Sequence, residues 1–248
     1  MTLPGWMLRI LVLALCALPT LAFGQSSQLP GVNINFGQGA NLVDTIEVLI
    51  LFTVLSMAPA IIILCTSFTR IIIVLSFMRQ ALGTQNLPPN QLLIGFAMFL
   101  SIFVMMPTGK AIFEGGIKPY MEKKIDTTQA LTVLETELRG FMEKHVRKTD
   151  IGLFYEVSGE PAPNDIKQVP IHYMIPAFII SELKTAFQIG FLLYIPFLVL
   201  DMVVASVLMA MGMMMLPPML VSMPFKLLLF VLVDGWQLVT GSILRSFN

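Results

Sequence analysis

The residues able to do chemistry in this chain are few, and several sit where charge is costly. Glu182, Lys184, Asp201, Lys226 and Asp234 lie inside the apolar block that begins at Ile171. Hydrocarbon cannot solvate ionised groups, so at membrane depth they face a protein interior or a wet cavity. Three negative and two positive groups invite pairing. Glu182 with Lys226, in one subunit or across two, is the preferred buried pair. The same residues would serve a proton relay, which nothing else in the sequence supports. Asp234, beside Gly235 and Trp236, reads better as interfacial. The second feature is Met209-Ala-Met-Gly-Met-Met-Met215, five thioethers in seven residues, followed by Leu216, Pro217 and Pro218. Methionine is unbranched and polarizable, and it repacks around changing shapes. Three readings fit Met209, Met211, Met213, Met214 and Met215: apolar packing, capture of Cu(I) by soft ligands, or a pliable seal lining a pore. No Cys or His stands near them and their flanks are apolar, which weighs against copper. Pro217 and Pro218 cannot continue a helix, so they are expected to end the preceding one and leave the methionines in a loop.

Catalytic signatures are missing from the sequence: it has no phosphate loop, no His-rich metal spacing and no nucleophile elbow. The expectation is a chain that is not an enzyme and carries no cofactor. His145 stands among Lys144, Arg147 and Lys148 and reads as part of a solvated helix face; His172 reads as a capping or interface residue. Cys65 would be the one cysteine left after removal of a leader, and it reads as a small buried hydrophobe.

The elements that must position these residues are apolar. The chain has 248 residues, of which 56% are hydrophobic and 12% charged, against about 25% charged in ordinary soluble domains. Mean hydropathy is +0.83. This is a membrane-class composition, and a formal net charge of zero gives no reason to expect nucleic acid. Nine of the 15 Lys and Arg residues and ten of the 15 Asp and Glu residues fall between Lys110 and Lys167. One polar insert therefore separates two hydrophobic blocks.

Residues 1–24 read as a secretory signal peptide: Arg9, the apolar run Ile10–Leu18, Pro19, and small residues allowing cleavage after Ala22 or Gly24. An uncleaved anchor is the alternative. Residues 25–43 follow as a polar extracytoplasmic segment. Residues 44–107 form the first hydrophobic block, in which Asp44–Leu82 is a span plus a continuing helix or a bent hairpin, broken by Pro59 and Arg70. Gly83–Asn90 is a turn, and Gln91–Met106 a second helix stopping at Pro107. In the insert, residues 108–170, the spacing of Leu131, Leu134, Leu138, Phe141 and Met142 predicts a helix over Thr128–Lys148, and Thr149–Pro170 reads as loop. Such an insert is expected to need partners for a core. In the second block, residues 171–248, Asp201 is expected to interrupt a helix and Met219–Val239 to close the chain. The fold class is all-α and membrane-associated, with four hydrophobic segments. Alternation from an outside N-terminus makes Arg70–Asn90 cytoplasmic, in line with the positive-inside tendency of Arg70 and Arg79; the insert and the C-terminus are then extracytoplasmic.

Pro176-Ala-Phe-Ile-Ile-Ser-Glu-Leu-Lys-Thr-Ala-Phe-Gln-Ile-Gly-Phe191 resembles the signature of the FliP family. So do Pro196–Met209, Met211–Pro218, Pro224-Phe-Lys-Leu227 and Val233-Asp-Gly-Trp236, with Leu87-Pro-Pro-Asn-Gln91 and Thr69-Arg-Ile71 in the first block. The resemblance implies Pro-broken helical hairpins in a multi-subunit helical export gate at the centre of the flagellar basal body. In such a gate copies of the chain assemble with FliQ and FliR, beside FlhA and FlhB, in the bacterial inner membrane. It implies type III secretion of unfolded flagellar subunits, a methionine loop acting as a pore gasket, and energy supplied elsewhere. An injectisome export gate is the close alternative. A Met-rich copper or small-ion transporter is the alternative from another class.

Overall fold

Residues 42–84, 87–213 and 215–247 are described in a computed structural model of the chain. The leader over 1–24 and the extracytoplasmic segment up to residue 41 lie outside the described residues, as does Met214. The chain divides after Met57 into two units. The first described helix, α1 (Leu42–Leu64), runs through that division and carries Pro59 in its interior. The rest concerns the larger unit, Ala58–Asn248.

Cys65–Ser67 breaks the helix, and α2 (Phe68–Ala81) follows. Pro89 caps α3 (Asn90–Ile112), where missing proline N–H groups cost little. Pro107 does not stop α3, contrary to expectation. The helix passes it, widens into a π-turn over Phe113–Ile117 and continues as α4 (Lys118–Met121). In the insert, α5 (Thr127–His145) starts at a capping box: Gln129 N–H donates to Asp126 Oδ1 at 2.7 Å, and Asp126 N–H donates to Gln129 Oε1 at 3.2 Å. The expected loop after residue 149 instead holds α6 (Lys148–Ser158), ended by Gly159, and a 3-10 turn over Ile166–Gln168.

The longest element is α7 (Ile171–Ala210), 40 residues, about 60 Å at 1.5 Å per residue against a hydrocarbon core of about 30 Å. Pro176, Pro196 and Asp201 lie within it without ending it. A helix keeps backbone groups paired within a single segment among apolar side chains, and that requirement outweighs the bond lost at each proline. Last come α8 (Pro218–Leu232) and α9 (Gly235–Arg245), bent by 66° at Val233–Asp234. Among the described residues, two helical stretches, Asn90–Met121 and Ile171–Ala210, are long and apolar enough to cross a membrane, or three if α8 and α9 make one span. The described residues are helical with no strand, as the sequence predicts.

Two cores hold the unit together. Ile71, Val74, Leu75 and Met78 of α2 pack with Leu93 and Ala97 of α3, Ala186 and Phe197 of α7, Phe230 of α8, and Val239 and Ile243 of α9. At Gly190 of α7 a Cβ would sit 2.8 Å from Phe77 Cγ, so the absence of a side chain sets how closely α2 and α7 approach. The second core joins Phe141, Met142, Ile151 and Tyr155 of the insert to Met174, Ala177 and Phe178 of α7, with Cys65 buried among them. The insert thus draws its core from its own chain, where partners were expected. The buried stripe of α7 runs Met174, Ala177, Phe178, Ser181, Glu182, Ala186, Gly190 and then thins to Phe197 and Leu208.

Candidate functional site: the methionine loop and the buried charges

The methionines stand at the end of the thinly covered half of α7. Met209 is in its last turn and Met211 caps it. The helix is ended by Gly212, not by the prolines. Gly212 takes φ +72°, its N–H donates to Met209 O at 3.0 Å, and Met213 N–H donates to Leu208 O at 3.0 Å. This paired pattern is a Schellman stop, which satisfies the last carbonyls of the helix. Pro217 and Pro218 serve the next element: Pro217 caps α8 and Pro218 is its first residue. The loop between is a short turn, with Leu216 N–H donating to Met213 O at 3.4 Å. Met209, Met211 and Met213 are exposed and Met215 is 99% exposed. None of these four side chains is buried in the single chain, although Met213, at 41%, is partly covered.

The sequence pairing of Glu182 with Lys226 is not what the structure holds. Glu182 is fully buried and takes both arms of Arg70: Nε donates to Oε2 at 2.8 Å and Nη2 donates to Oε1. The planar guanidinium matches a carboxylate in two parallel bonds, which a lysine ammonium cannot do. Arg70 Nη1 also donates to the Ser246 carbonyl at 2.7 Å and to Ser246 Oγ at 2.9 Å, and its Cζ lies 3.8 Å from the Phe247 ring centroid. Lys226, buried as well, donates instead to Asp201 Oδ2 at 2.6 Å, while Ser222 donates to Oδ1. Lys184 and Asp234 are exposed, and Asp234 has a left-handed backbone with φ 50° at the α8–α9 bend. Among the described residues no buried side-chain nitrogen or oxygen lacks a hydrogen-bond partner.

Arg70, weighed at the sequence level as a break in the apolar run and for its charge on the cytoplasmic side, is 2% exposed and sits inside α2. Its one sequence signal was a lone charge beside Ile71-Ile-Ile73. Ser246 and Phe247 gave no signal at all. His145 is not on a solvated face: its ring lies 4.6 Å from Phe141 and 5.4 Å from Phe247, with Nδ1 2.8 Å from the Phe141 carbonyl oxygen. The insert is tied to α7 beside Glu182 by Ser181, whose Oγ accepts from Arg147 N–H at 3.0 Å and lies 2.6 Å from Asp150 Oδ2. His172 opens α7 exposed, 4.4 Å from the Tyr173 ring.

Chemically, the site holds its buried charges Arg70, Glu182 and Lys226 neutralised by neighbouring charges. It offers an exposed thioether turn anchored between two apolar helices, and a braced framework behind them. Sequence comparison returns the same segments. A profile of the FliP family matches residues 51–243. The chain is 55% identical over 207 residues to a protein of Bacillus subtilis named flagellar biosynthetic protein FliP, covering 84% of this chain and 94% of that one. The protein of that name from Caulobacter vibrioides is 48% identical over 243 residues, covering 97% and 90% of the two chains, and that from Aquifex aeolicus is 46% identical over 224, covering 90% and 93%. On the match of profile and relatives along both hydrophobic blocks and the loop between α7 and α8, this chain belongs to the FliP family.

Proposed function

We propose that this chain is a core, pore-forming subunit of the flagellar type III protein export gate, passing unfolded flagellar subunits across the bacterial inner membrane as the flagellum is built. The observation that carries the reading is the methionine turn, exposed and apolar, held between helices whose own faces are bare. Phe99, Ile102, Phe103 and Met106 of α3 and Phe191, Leu192, Met202 and Val203 of α7 are all exposed in the single chain. Apolar area of this extent calls for lipid or for neighbouring subunits. The neighbours we assign are further copies of this chain with FliQ and FliR, at the basal body beside FlhA and FlhB. The role is not enzymatic: the work of transport comes from outside the chain, and its own part is a passage that closes. Flexible thioethers suit that part, since they close on one another when idle and repack around a moving chain of changing side chains. In this reading the N-terminus and residues 108–170 lie on the extracytoplasmic side, which follows from alternation of the spans from an outside N-terminus. The flagellar names of the relatives favour it over an injectisome gate.

The test replaces Met213, Met214 and Met215 together by alanine in cells that depend on this chain for motility. Ion leak across the inner membrane is predicted to rise several-fold while export falls. Unchanged leak in this triple variant sinks the seal.

A further inference from the structure

We infer that Gly212 is the positioning residue of the seal: its left-handed backbone aims the methionine turn, and no side chain is required to be absent there for reasons of space. The inference rests on the seal reading and adds to it the residue that sets the loop's direction. Three observations carry it. Gly212 has φ +72°, in the region where a Cβ clashes with the following carbonyl. The Schellman bonds Gly212 N–H to Met209 O and Met213 N–H to Leu208 O, both 3.0 Å, exist only with that backbone. A Cβ built on Gly212 meets nothing within 4 Å in the chain, so conformation alone, not crowding, is at stake.

The geometry that follows is specific. Leu208, the acceptor of the second bond, is buried, so the base of the turn is pinned to a fixed point of α7. From that base Met213 accepts from Leu216, which leaves Met215 at the exposed tip. With a right-handed backbone at 212 the helix would run on, and Met213 and Met215 would be wound into α7 instead of standing in a turn beyond its end. Gly212 therefore converts a Met-rich helix end into a Met-tipped turn.

The experiment compares four forms of the full chain in assembled gates in their native membrane: Gly212→Val, Gly212→Asn, the Met213/Met214/Met215→Ala triple, and the unaltered protein. Assembly is checked by recovery of the complex, and ion leak and motility are read. A β-branched residue is penalised in the left-handed region, where asparagine is tolerated. Valine is predicted to lower occupancy of the projecting turn about tenfold, raising leak toward that of the triple variant, whereas asparagine restores a tight gate. If valine prevents assembly, Gly212→Ala takes its place, with the same comparison against asparagine. Leak in the triple variant with none in Gly212→Val overturns the role of Gly212 and leaves the seal standing. Equal leak in asparagine and valine variants overturns the conformational account. No leak in the triple variant overturns the seal itself, and this inference with it.

Discussion

Arg70 joins three parts of the described unit through one side chain. Four of its hydrogen bonds and one aromatic face tie α2 to α7 and to the residues after α9. Removing one member of a buried pair strands the other's charge at a cost of about 3–5 kcal/mol, while replacing both by apolar residues costs far less. Arg70→Met and Glu182→Met singly are therefore predicted to abolish accumulation of the chain, and the double variant to recover much of it, as read by immunoblot of membranes. Exchanging Glu182 with Lys226 is predicted to give no rescue over either single change, because each has a different partner; rescue would return Glu182 and Lys226 to a pair formed between subunits. Lys226→Met is predicted to be rescued by Asp201→Asn, judged by the same blot. The burial of Glu182 and Lys226 was legible, since ionisable groups stood in apolar runs. Their partners were not. Glu182 meets a residue 112 positions away, and only the packing of α2 on α7 decides that the nearest cation is an arginine.

At the level of elements, the existence of helices was legible and their ends were not. Pro107 was expected to stop one helix and Asp201 to interrupt another, yet α3 runs through the first and α7 through the second, past Pro176 and Pro196 as well. The cost of one missing N–H is local, whereas the apolar flanks make any alternative to helix costlier over many residues. The reverse error fell at residue 212, where one glycine ends α7 well before Pro217. The turn formers Gly159, Pro161 and Pro163 all lie beyond α6, so they end that helix and do not act on the residues before it. Close approach of elements leads to a further expectation. Gly190→Val is predicted to destabilise the α2–α7 contact by about 1–3 kcal/mol through overpacking, and Phe77→Ala to relieve part of that loss. Thermal loss of the assembled complex in detergent measures both; equal melting of Gly190→Val and the unaltered protein would show that α2 shifts freely.

On the scale of the whole described unit, two cores meet at Phe247, which packs against both. Its ring faces Arg70 on one side and lies 6.3 Å from Phe141 and 5.4 Å from His145 of the insert. Phe247→Ala is predicted to weaken the hold of the insert by about 1–3 kcal/mol, seen as faster proteolytic cleavage between α5 and α7 with the methionine turn unaffected in ion leak. The arrangement also has a consequence in time. Ser246, which accepts from Arg70, lies 176 positions further along the chain. At about 5–20 residues per second, synthesis leaves Arg70 without that acceptor for roughly 9–35 s, and without Glu182 for much of the interval. Until then the arginine must stay hydrated or borrow a partner. The unit closes only when some of its last-made residues arrive, so a ribosome stalled after α7 would hold a membrane chain bearing Glu182 but no Ser246 to complete the node.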